Sequence, residues 1–82
     1  MIYRIYTEDL GNIPEIVSQY FDGFTVFEAV GYWKGQREKT AVVELVTDER
    51  VKVYEMARTI KELNKQESVL VVPVSVSEGV LV

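Results

Sequence analysis

The chain opens on side chains that alternate with period two. In residues 2–7, Tyr3, Ile5 and Thr7 form one set and Ile2, Arg4 and Tyr6 the other, which predicts a strand. Gly11-Asn12 breaks it. Asn12 then suits a helix N-cap, with Glu15 at capping-box spacing and Pro14 in the first turn, where its missing N–H costs little. Ile13, Ile16, Val17, Tyr20 and Phe21 recur at helical spacing, so a helix is predicted over 13–21, closed by Asp22-Gly23. Over 24–34 the period returns to two. Phe24, Val26, Glu28, Val30 and Tyr32 alternate with Thr25, Phe27, Ala29, Gly31 and Trp33. Gly35-Gln36 reads as a hairpin turn. A third strand follows over 38–47, with Ala41, Val43 and Leu45 on one face and Val42, Glu44 and Val46 on the other.

Asp48 is the expected N-cap of a second helix. Its apolar stripe is Val53, Met56, Ala57, Ile60 and Leu63, and Lys52, Glu55, Arg58, Lys61, Glu62 and Lys65 take the wet side. A fourth strand is predicted over 68–76. Ser77-Glu78-Gly79 breaks it, and Val80-Leu81-Val82 could return as a short fifth strand. The order is therefore βαββαβ, which predicts an α+β, ferredoxin-like two-layer sandwich. With right-handed crossovers, the antiparallel sheet order is 4-1-3-2. Pro73 fits this order, because proline is tolerated on an edge strand and strand four is an edge. Residues 1–82 form a single domain.

One sheet face packs on both helices and the other is left bare. Sorting by unbroken apolar character assigns Tyr3/Ile5, Phe27/Ala29/Trp33 and Ala41/Val43/Leu45 to the helices. The open face then holds Ile2/Arg4/Tyr6, Val26/Glu28/Val30/Tyr32 and Val42/Glu44/Val46. Solvated antiparallel faces usually alternate to polar side chains, so so apolar a face marks a partner, a ligand or a second copy.

Composition narrows the chemistry. The chain has 82 residues, 48% hydrophobic and 27% charged, with no cysteine and no histidine. Disulfides and thiolate metal sites are excluded, and the commonest general base and zinc ligand are missing. No metal or other cofactor is expected. The net charge is −4. Residues 1–35 hold two basic and five acidic side chains, 36–65 seven and six, and 66–82 two acidic only. That balance argues against nucleic acid, as does a third strand without stacking aromatics. No apolar run is long enough for a membrane helix and no secretory leader opens the chain, so the expected compartment is the cytoplasm.

The residues singled out for ligand or partner binding are Arg4, Tyr6, Glu28, Tyr32, Trp33, Val42, Glu44 and Val46. Arg4, Glu44 and Glu28 are expected in a row across the open face. There Arg4 would meet an anionic group, the carboxylates would meet hydroxyls or amines, and Tyr6 and Tyr32 would serve as walls. A plainer reading makes the row a cross-strand ion pair beneath an oligomer interface. Trp33, between Gly31 and Gly35, has a plainer reading too, as a packing residue at the sheet end. The glycines lack phosphate-loop spacing. Glu8-Asp9 and Asp48-Glu49 read as turn and cap acids rather than metal ligands.

From Asp22 onward the chain resembles a family of small bacterial and phage proteins known only as a domain of unknown function. The likeness is carried by Asp22-Gly23-Phe24-Thr25-Val26, Gly31-Tyr32-Trp33, Glu44 and Gln66-Glu67-Ser68-Val69-Leu70-Val71. It implies an α/β sandwich and no activity. The expectation is a non-enzymatic binding protein, a homo-oligomer holding a small anionic or nucleotide-like ligand, as a phage-encoded antagonist of host defence would. The alternatives are a module that binds a larger host protein through its open face or a sheet edge, and a small dimeric enzyme using Tyr, Arg and Glu around a cavity.

Overall fold

A computed structural model describes residues 1–75 and 80. The element order is β1 (Ile2–Glu8), α1 (Ile13–Ser18), β2 (Thr25–Trp33), β3 (Gln36–Val46), α2 (Arg50–Leu63) and β4 (Leu70–Val74). The four strands form one antiparallel sheet of order β2-β3-β1-β4, which counted from the other edge reads 4-1-3-2. Pro73 lies on β4, which among the described residues pairs only with β1. The expected fifth strand, at 80–82, lies outside the described residues except for Val80.

Burial follows the alternation. Tyr3, Ile5 and Thr7 of β1 and Ala41, Val43 and Leu45 of β3 are buried beneath the helices. In the register Tyr3 faces Leu45, Ile5 faces Val43 and Thr7 faces Ala41. Ile13, Ile16 and Val17 of α1 and Val53, Met56, Ala57 and Ile60 of α2 supply the helical half of the core. Burying each large side chain contributes about 1.5–3 kcal/mol.

The helices depart from expectation at their ends. α1 stops at Ser18, and 19–21 close in tighter turns, with Gln19 N–H bonded to Ile16 O at 3.2 Å and Tyr20 N–H to Val17 O at 2.9 Å. Phe21 still reaches the core. Asn12 occupies the N-cap but its side chain makes no cap bond, because its amide is engaged by Asn64. α2 is capped at Glu49 rather than Asp48. Thr47 Oγ1 accepts the Glu49 N–H at 3.1 Å, which sets the entry one residue later. Leu63, expected on the stripe, is exposed.

One larger correction concerns β2. Lys34 and Gly35 both have positive φ, 51° and 76°, and lie between the paired Trp33 and Gln36. This is a two-residue hairpin turn with the left-handed conformations of type I′. Across such a turn, even-numbered residues of β2 share a face with odd-numbered residues of β3. Val26 pairs with Val43, Glu28 with Ala41, Val30 with Lys39 and Tyr32 with Arg37, all on the helix side. Phe27, paired with Val42, lies on the open side with Ala29 and Trp33, the reverse of the expected assignment. Turn geometry fixes the parity, and apolar content does not override it.

Candidate functional site

The open face begins with an ion pair. Arg4 and Glu44 are direct partners in the β1–β3 register, and Arg4 Nε donates to Glu44 Oε2 at 2.9 Å. That hydrogen bond, then the charge of Glu44, holds the Arg4 guanidinium above its ordinary pKa. Arg4 therefore stays charged, but Glu44 already neutralises it. Tyr6 and Val42 form the next cross-strand pair, and Ile2 and Val46 the pair on the other side. Val46 is exposed.

The expected Arg4–Glu44–Glu28 row forms only in its first half. Glu44 faces Thr25 across β3–β2, and Glu28 faces Ala41 on the helix side. Tyr32 also lies on that side, beside Arg37 and highly exposed. The structure thus brings Arg4, Tyr6, Val42, Glu44, Val46 and Trp33 to one face, and places Glu28 and Tyr32 on the other.

A second arrangement lies at the hairpin end of the sheet. α2 ends in a Schellman turn, with Gln66 N–H bonded to Lys61 O at 3.0 Å and Lys65 N–H to Glu62 O at 3.4 Å. Lys65 holds the left-handed position, φ 52°, where glycine is usual. This turn aims Gln66 at the end of β1. Thr7 Oγ1 and Gln66 Oε1 lie 3.0 Å apart, and Gln66 Nε2 and Thr7 Oγ1 2.7 Å apart. Glu67 then reaches the hairpin tip. Trp33 Nε1 donates to Glu67 Oε2 at 3.2 Å, and Lys34 Nζ to Oε1 at 3.1 Å.

The tip and the α2–β4 loop enclose a half-open cleft of about 590 Å³. Its apolar lining includes Tyr6, Trp33 and Leu70. Glu8 and Glu38 also line it, and neither forms an ion pair among the described residues. The cleft passes over Gly31 and Thr40. A Cβ on Gly31 would stand 2.3 Å from Thr40 Oγ1, so only glycine lets β2 lie this close. Thr40 Oγ1 is buried with no hydrogen-bond partner among the described residues. Of the cleft residues, sequence reasoning found Tyr6, Tyr32 and Trp33 and missed Glu8, Glu38, Gln66 and Glu67. The Gln66-Glu67 pair stood in the family-like motif, but nothing local connected it to the hairpin.

The third feature is the rim of the sheet. Among the described residues, β2 pairs on one side only. Its Phe27, Val30, Tyr32 and Trp33 are 47, 54, 71 and 49% exposed, two on each face.

No protein-family model matches the chain, and no curated protein matches it either. No group of three or more acidic side chains among the described residues could hold a metal ion. No helix among them is long and apolar enough to cross a membrane.

Proposed function

We propose that this ferredoxin-like domain is a non-enzymatic binding protein that self-associates and holds a small ligand in the cleft under its hairpin tip. The observation that supports this most is the pairing of aromatic walls, Tyr6 and Trp33, with the unpaired carboxylates Glu8 and Glu38 in one cleft. Sites for small molecules combine apolar walls with placed polar groups, and this cleft sets Tyr6, Tyr32, Trp33 and Leu70 among polar side chains. Glu8, Glu38 and Glu67 in its lining stand against Lys34 and Lys65, and this net negative balance favours a neutral or cationic ligand with hydrogen-bond donors over the anionic, nucleotide-like one expected from Arg4, which Glu44 neutralises. The setting we propose for such a binder is antagonism of host defence in a bacterial cytoplasm.

Native mass spectrometry of the protein purified from cells tests the reading. A co-purifying small mass that is lost in Glu38→Gln supports it. A bare chain, together with unchanged Trp33 fluorescence across a panel of small amines and neutral aromatics, rejects it. A second reading, binding of another protein chain, is favoured by the exposed apolar rim of β2.

A further inference from the structure

We propose that β2 pairs with β2 of a second copy of this chain, antiparallel and in a single register centred on Ala29. This rests on the self-association named above and assigns its surface, which is the sheet rim rather than the Val42/Val46 face.

The two rims of the sheet are built differently. β4 has five residues and carries Pro73, both devices that blunt an edge. β2 has nine residues, with no proline and no lysine, and its only charged side chain is Glu28. An edge strand left this long and apolar is a template for another strand.

The sequence of β2 says which strand fits. A two-fold axis normal to the sheet must pair residues of the same face, so the two residue numbers in each pair have the same parity. Centring on Ala29 pairs all nine residues. Thr25 then faces the partner's Trp33, and Phe27 faces the partner's Gly31 on the open side. Val26 faces the partner's Tyr32, and Glu28 the partner's Val30, on the helix side. Phe27 would cover the strand position where Gly31 has no side chain, the aromatic–glycine pairing that stabilises sheets. Gly31 itself must stay bare because of Thr40.

Charge complements this register. Val30 pairs with Lys39 of its own β3. The partner's Glu28, Val30 and Lys39 therefore lie in one row on one face. Neither Glu28 nor Lys39 has an ion-pair partner among the described residues. Each would gain one across the seam, twice by symmetry, while the two Glu28 side chains stay diagonal to each other.

The chain has no cysteine, so a single introduced one reports self-contact cleanly. Directly opposed strand residues have Cα atoms about 4.5–5.5 Å apart, inside disulfide range. Ala29→Cys, oxidised mildly, should run mostly as a covalent dimer, and Val46→Cys should not. Light scattering on the wild type should give twice the 9.4 kDa chain mass. Ala29→Lys should reduce it to one chain mass with an unchanged circular dichroism spectrum. Glu28→Lys should weaken the dimer severalfold, and Glu28→Lys with Lys39→Glu should restore it. A monomeric wild type would refute self-association altogether. A dimer that cross-links at Val46→Cys and not at Ala29→Cys would keep self-association and overturn the β2 seam.

Discussion

Asn12 and Asn64 hold each other through two reciprocal amide bonds, 2.7 Å from Asn12 Nδ2 to Asn64 Oδ1 and 3.0 Å in return. They tie the start of α1 to the end of α2, and both are partly buried. Removing one partner leaves the other amide half-satisfied. Asn12→Ala and Asn64→Ala should each cost about 1–2 kcal/mol, and the double variant should cost clearly less than their sum. Urea unfolding followed by circular dichroism measures all three.

Gly31 and Thr40 make a sharper test of packing. Gly31→Ala should destabilise by about 1–3 kcal/mol, because the new methyl meets Thr40 Oγ1. Adding Thr40→Ala removes the obstructing hydroxyl and should recover most of the loss. If the double variant is as unstable as the single one, the close approach of β2 to β3 is not the cause.

The Arg4–Glu44 pair should matter much less. Both side chains keep solvent contact, 41 and 26% exposed. Exposed ion pairs are worth about 0–1 kcal/mol, so Arg4→Ala should shift the urea midpoint only slightly. A double-mutant cycle with Glu44→Ala should give a coupling in that range, decreasing with added salt.

Trp33 is the sole tryptophan and its indole N–H bonds Glu67. Glu67→Ala should free the indole and the hairpin tip together. Its emission should move toward that of a solvated indole while global stability changes by less than about 1 kcal/mol. Unchanged emission would show that the tip is held without Glu67.

Lys65 holds a left-handed φ at the C′ position of a Schellman turn. Lys65→Gly should therefore stabilise the protein by about 1 kcal/mol, read as a raised Tm.

The fold was legible because both periodicities are strong. Ile13, Ile16 and Val17, then Val53, Met56 and Ile60, mark the helical faces, and Tyr3/Ile5 and Ala41/Val43/Leu45 mark the sheet interior. The face of β2 was misread because Phe27 and Trp33 are as apolar as core residues. Only the parity imposed by the Lys34-Gly35 turn reveals that they point the other way. The turn was itself expected one residue later, at Gly35-Gln36, since a lysine with positive φ gives no sequence signal. The cleft was harder still. It depends on Glu67 crossing from the α2–β4 loop to the hairpin, a contact between residues more than thirty positions apart. Lys65, standing where a glycine would announce the turn, conceals it.

The contrast between the two rims has a consequence for assembly size. A sheet receptive at both sides could add copies without limit and grow into a fibre. Here the proline-bearing strand shuts one side, and a symmetric seam consumes the other in both molecules at once. Growth would halt at a pair, with Lys34 and Gly35 of each turn just past the last joined residue, Trp33.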